Sequence, residues 1–263
     1  MLSSHAVVAR PGPIAVCLLG GFRLLKQGEP VAVRPGGKTQ ALLSTLALRR
    51  TVGVPREELI GLIWPASDAE LGGQSLNTLV SSLNRSLRDA LGGRPPVIHF
   101  GGLYRLNEEG GVGVDIAWFD NAMADGDRRS RSGDASGALR SYRDAIELYV
   151  GDLALAAMVE HVVERERLRA RYLELRARLA DTMFAAGDYA SALENALDLL
   201  AHDPCREDAH RMAMRSHVRL GHRAQALRQY TFCRDVLARE FDAPPEPLTQ
   251  ALFDLIRLNP GDV

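Results

Sequence analysis

Gln74, Thr78, Ser81, Arg85 and Arg88 follow one another at spacings of 4, 3, 4 and 3 residues, which on an α-helix puts all five on one face. These groups offer hydrogen bonding rather than bond breaking. Short polar side chains let a helix backbone approach the floor of a major groove, and arginine either reads guanine or clamps a phosphate. The opposite side of the same segment gathers Leu76, Leu79, Val80, Leu83, Leu87, Ala90 and Leu91. The spacing therefore predicts a helix from about Gln74 to Leu91 with one face in a core and the other available to base pairs. Gln74, Thr78, Ser81, Arg85 and Arg88 are the candidate base-reading set. Asn77 and Ser82 flank the stripe and are candidate phosphate contacts.

Other chemistry is poorly provided for. His202, Cys205 and His210 crowd into HDPCREDAH, but Pro204 places them at an inter-helix turn, where packing explains them better than a metal. No Ser/His/Asp set or carboxylate pair stands out, so neither an enzyme nor a cofactor is expected. RPGGKTQ imitates the end of a phosphate-binding loop, yet that pattern needs glycine at position 32, which is Ala32. Lys38, at a helix start, is instead a candidate contact to a DNA phosphate. The arginines between Arg165 and Arg178 alternate with Glu164, Glu166 and Glu174, as on a solvated, ion-paired helix face.

The elements around the polar stripe have a definite order. Residues 14–19, 22–25 and 31–33 are predicted strands, and a first helix is predicted from Gly37 to Arg49. Pro55 is expected to open a second helix, and Trp64–Gly73 is expected to be a loop before the third. After Arg94-Pro95-Pro96, VIHF and LYRL flank Gly101-Gly102 as a hairpin with a two-residue turn. Strands, three helices and a terminal hairpin make a winged helix. His99 and Arg105, on the wing, are candidate contacts to the DNA backbone.

From Ile116 onward the pattern is helical. Gly187, Ala190, Ala192 and Leu193 recur 34 residues later as Gly221, Ala224, Ala226 and Leu227, the period of tetratricopeptide (TPR) repeats. Gly133, Ala138 and Leu139 open an earlier copy, and a longer or additional helix is expected within 150–179. The fold expected is mostly α: a tail over 1–13, a winged helix over 14–111 with small β-sheets, and an all-α TPR-like domain over 112–263. The NEEGGVG run between them implies that residues 1–111 fold alone. Net charge is +4 over 1–111 and −5 over 112–263, a division suited to one DNA-facing and one protein-facing part. Three cysteines without metal spacing, no signal segment and no long apolar run point to the cytoplasm and away from membranes.

LLGGFRLLKQGEPVAV, GGKTQALLSTLAL, ELIGLIWP, SLNTLVSSLNRSLRDALG, and GLYRLN followed by VDIAWF together resemble the OmpR-type DNA-binding domain of the Streptomyces antibiotic regulatory protein family, over residues 14–115. Residues 116–258 resemble the bacterial transcriptional activation domain that follows it in that family. The chain departs from the family at Asn84 and Ser86, where the third helix is usually more basic. The resemblance implies a transcription activator whose third helix reads direct repeats in double-stranded promoter DNA. Two protomers would sit side by side there and recruit RNA polymerase. It also implies that Asp68 and Glu70, in the loop before that helix, meet the polymerase or its sigma subunit. The competing expectation is a TPR-type adaptor whose winged helix contacts only proteins.

Overall fold

A computed structural model describes residues 12–153 and 159–262. Most of the tail expected over 1–13 and part of the segment 150–179 lie outside the described residues. The chain divides into two compact units, residues 1–165 and 166–263.

The first unit begins with a sheet of order β3-β2-β1-β7. β1 (Ile14–Cys17) is buried throughout and runs antiparallel to β2 (Arg23–Lys26), with Ile14 opposite Lys26. Gln27 and Gly28, both at positive φ, make the two-residue turn into β3 (Glu29–Pro30). The strand expected over 31–33 does not form. Glu29 and Pro30 take its place opposite β2, and only the Val31 amide continues the pairing, to the Leu24 carbonyl at 2.8 Å. β1 also stops short of Leu19, because the Leu18 and Leu19 amides donate to the Asp115 carboxylate at 2.8 and 2.9 Å rather than to a ladder.

Helices α1 (Lys38–Leu48), α2 (Arg56–Ile63) and α3 (Ala69–Leu87) pack their apolar faces together around Leu42, Leu46, Leu59, Ile63, Leu76 and Leu83. Pro55 lies one residue outside α2, extended, as its N-cap and as the end of the short strand β4 (Val54–Pro55). The wing is β5 (Val97–Phe100) and β6 (Leu103–Leu106), turned by Gly101 at φ 60° and Gly102 at φ 79°. β4 pairs with β6 on the far side from β5, so the wing is the edge of a three-stranded sheet.

The sheet reaches past residue 111. β7 (Val112–Val114) lies parallel to β1, with Ile14 opposite Val112 and Val16 opposite Val114. α4 (Asp115–Arg131) follows without a break, and α5 (Ala135–Leu148) packs along it so closely that a Cβ on Gly126 would lie 2.3 Å from the Tyr142 ring.

The second unit takes in most of α6 (Val159–Ala185), with α7 (Tyr189–His202), α8 (Glu207–Arg219), α9 (Arg223–Phe241) and α10 (Pro247–Leu258). α6, at 27 residues, is the longer helix expected there. Gly187 and Gly221 close their helices at φ 82° and 79°, and Ala192 and Ala226 are fully buried, so the 34-residue repeat is a repeat of helical hairpins. His210 is buried between them. Its Nε2 donates to the Pro204 carbonyl at 2.9 Å and its Nδ1 accepts from Gln229 at 2.8 Å, while burial holds its pKa below the usual range. HDPCREDAH is thus a packed corner between helices.

Candidate nucleic-acid interface

α3 begins five residues earlier than periodicity predicts. Asp68 is its N-cap, its carboxylate accepting from the Leu71 amide at 2.8 Å, and Glu70 lies in the first turn. The loop expected over 64–73 therefore ends at Asp68, and its acids meet the amide-rich start of the helix, where negative charge is stabilising. Gly72 and Gly73, which locally signal a turn, are buried in the second turn of α3, where α2 crosses. A Cβ on Gly72 would sit 2.4 Å from Ile60 Cγ2.

From that start α3 presents Gln74, Asn77, Thr78, Ser81, Ser82 and Arg85, all exposed. Thr78 Oγ1 donates to the Gln74 carbonyl at 2.9 Å, which fixes its rotamer. From Leu71 to Arg88 there is no acidic residue, and Asp89 is held by Lys26 at 2.8 Å. Arg88 departs from the stripe. The α-helix gives way to a 3-10 turn over Arg88–Leu91, closed by Gly92 at φ 62°, and the Arg88 guanidinium donates back to the Gly93 carbonyl at 3.0 Å. The helical stripe is thus Gln74, Thr78, Ser81 and Arg85.

The wing stands beside this face. Asn84 bonds β5 at both its atoms, accepting from the Val97 amide at 3.2 Å and donating to the Val97 carbonyl at 3.4 Å. The departure from a basic residue at position 84 thus buttresses the wing. A cleft of about 390 Å³ separates the two, lined by Asn77, Ser81 and Asn84 from α3 and by Ile98, His99 and Tyr104 from the wing. His99 is exposed and stacks on Tyr104 with ring centroids 4.3 Å apart. Arg105 is exposed on β6, donating to the Val52 carbonyl at 3.0 Å.

Two further placements differ from the expectations. The Lys38 amino group donates to the Ile63 carbonyl and lies 5.6 Å from the Trp64 ring centroid, so it satisfies the C-terminal end of α2 instead of standing ready for phosphate. Asn77 already accepts from Arg56 at 2.8 Å. Two features escaped sequence reasoning. Phe100, at the wing tip, is 86% exposed, a departure that its place directly before Gly-Gly could have flagged. Arg56, the first residue of α2, is the other, and no local pattern marks it.

The bacterial transcriptional activator domain family matches residues 114–257, more than half of the chain. The chain is 25% identical over 242 residues to regulatory protein AfsR of Streptomyces coelicolor, covering 92% of this chain and 24% of AfsR. It is 26% identical over 250 residues to transcriptional regulatory protein MoaR1 of Mycobacterium tuberculosis, covering 93% and 79%. With regulatory protein DnrI of Streptomyces peucetius it shares 25% over 242 residues, covering 88% and 87%. The chain thus spans about a quarter of the length of AfsR. The solved structure of Mycobacterium tuberculosis EmbR, in complex with a low affinity phosphopeptide, superposes with a TM-score of 0.69 at 20% identity, over 94% of this chain and 65% of that one. That likeness gives the same fold, a winged helix followed by TPR-like helices. The chain belongs to the bacterial transcriptional activator domain family, within the Streptomyces antibiotic regulatory protein group that its winged-helix motifs resemble.

Proposed function

We propose that this chain activates transcription by binding promoter DNA in the cytoplasm, with α3 in a major groove and the wing beside it. Two protomers lie side by side on a direct repeat and recruit RNA polymerase. The observation that carries this is the exposed polar face of α3 from Gln74 to Arg85, which bears no acid and is flanked by the wing. Gln74, Thr78, Ser81 and Arg85 read bases; Ser82, His99 and Arg105 meet the backbone; Arg88 adds positive charge at the edge. Duplexes selected by the full chain from a random library test it. Binding should weaken with salt as phosphate contacts release counterions, which an adaptor surface would not do. Arg85→Ala should cost about 1–3 kcal/mol of specific binding and relax the preference at its base. Wild-type footprints and selectivity from Arg85→Ala would take the stripe out of the interface.

Asp68 and Glu70 are the proposed landing site for polymerase or sigma. The capping role of Asp68 dictates the substitution, because Asp68→Lys would fray α3 and weaken DNA binding for a trivial reason. Asp68→Asn keeps a capping oxygen and removes the charge. Combined with Glu70→Lys, it should lower transcription severalfold from a promoter that stays bound. Unchanged transcription would reduce both acids to their helix-starting role.

A further inference from the structure

We infer that Arg56 is a positioning residue that fixes the wing relative to α3, so that both meet one duplex; this rests on the DNA-binding function proposed above. Arg56 is the first residue of α2 and is half-buried. Its Nη1 donates to Asn77 Oδ1 at 2.8 Å and to the Tyr104 hydroxyl at 3.0 Å, and its Nη2 donates to the Gly73 carbonyl at 2.9 Å. One guanidinium thus joins three elements: α2, the start of the exposed face of α3, and the wing strand β6. Tyr104 in turn stacks on His99, so the constraint reaches the exposed side of the wing.

The site is built for an arginine. A Cβ on Gly73 would stand 2.7 Å from Nη2, so glycine there lets the guanidinium keep its place against the Gly73 carbonyl. The guanidinium is a rigid planar fork whose donors point in fixed directions, whereas a lysine ammonium is a single point that cannot span three acceptors. Asn84 ties the other end of the exposed face to β5, so helix and wing are held together at two places. Phosphate contacts made by a wing count only if the wing arrives in register with the helix, and a supporting residue sets that register.

The test compares wild type with Arg56→Ala, Arg56→Lys and Tyr104→Phe in the full chain, on a duplex selected by wild type from a random library. Affinity and hydroxyl-radical footprint are read alongside thermal melting. Arg56→Ala and Arg56→Lys should each bind about tenfold more weakly, keep the base preferences of α3 and lose backbone protection on the wing side. Tyr104→Phe, which removes only a hydroxyl, should show a smaller loss of the same protection. Adding it to Arg56→Ala should weaken binding no further, because both act through one hub. The inference fails if Arg56→Lys behaves as wild type, since charge alone would then suffice. It fails equally if Arg56→Ala melts lower yet gives the wild-type footprint, which is a structural role only. A wild type that binds no duplex would bring down the proposed function and this inference together, whereas a binding wild type with an indifferent Arg56→Ala removes only the inference.

Discussion

A fragment ending at residue 111 is expected to show no cooperative melting transition, while one ending at residue 165 melts as a unit. The shorter fragment lacks β7 and leaves the buried strand β1 with an open edge at Ile14 and Val16. It also lacks α4, whose Ile116 and Phe119 are 1% and 0% exposed. Beyond that, the bridge between Leu19 and Leu153 and the bond from the Gly20 amide to the Asp152 carbonyl at 3.1 Å pin the end of β1 to the segment after α5. Cooperative melting of the 1–111 fragment within a few degrees of the longer one would show these contacts to be dispensable. Asp115 is the sharpest probe. In the 1–165 fragment Asp115→Ala strands the Leu18 and Leu19 amides in the interior and should cost about 2–4 kcal/mol.

Asp115 also carries a pH signature. It is 3% exposed, and burial outweighs the lowering effect of its three amide donors and of Arg23, so its pKa is pushed up to about 6 from 3.8. The folded state holds this proton more tightly than the unfolded chain. The associated stabilisation is complete below pH 3.8 and is lost as pH rises through about 6. That difference is worth about 3 kcal/mol. Asp115→Asn keeps an oxygen for the Leu18 and Leu19 amides and cannot ionise. The gap in stability between wild type and Asp115→Asn should therefore shift in favour of the variant from pH 4 to pH 7. A constant gap would mean that Asp115 stays ionised across the range.

What the sequence made legible was whatever repeats locally. The polar stripe from Gln74 to Arg85, the Gly101-Gly102 turn of the wing and the 34-residue recurrence of Gly187 at Gly221 all follow from periodicity or from one backbone requirement. What it hid depends on partners distant in sequence. VGV at 112–114 looks like linker because its partner β1 lies nearly 100 residues away and pairs with it in parallel. Lys38 at a helix start resembles an anion contact until the end of α2 is seen to occupy it. Arg88 fits the 100° wheel only if the α-helix continues, and Gly92 tightens the chain into a 3-10 turn first. Arg56 gains its meaning from an α3 carbonyl, the Asn77 side-chain oxygen and a wing hydroxyl that local sequence does not bring together.

Gly72 sets local propensity most directly against packing, and the two predict opposite signs for one substitution. Replacing a glycine inside a helix by alanine stabilises the helix by about 1 kcal/mol when the site is open. Here the added Cβ lies 2.4 Å from Ile60 Cγ2. That methyl is attached directly to Cβ, and a β-branched residue in a helix has one strongly preferred χ1 rotamer, so it cannot swing aside cheaply. Either Ile60 leaves its rotamer or α2 moves away from α3, and overpacking of this kind costs about 1–3 kcal/mol. Gly72→Ala is therefore expected to lower stability in urea titrations despite the better helix former, and Gly72→Val to lower it further. Ile60→Ala removes the opposing methyl. In that background Gly72→Ala should become neutral or stabilising, a coupling that a double-mutant cycle measures directly. If Gly72→Ala instead raises stability with Ile60 in place, then α2 and α3 do not cross as closely as the geometry requires. The glycine would then owe its position to something other than the crossing that seats the polar face of α3.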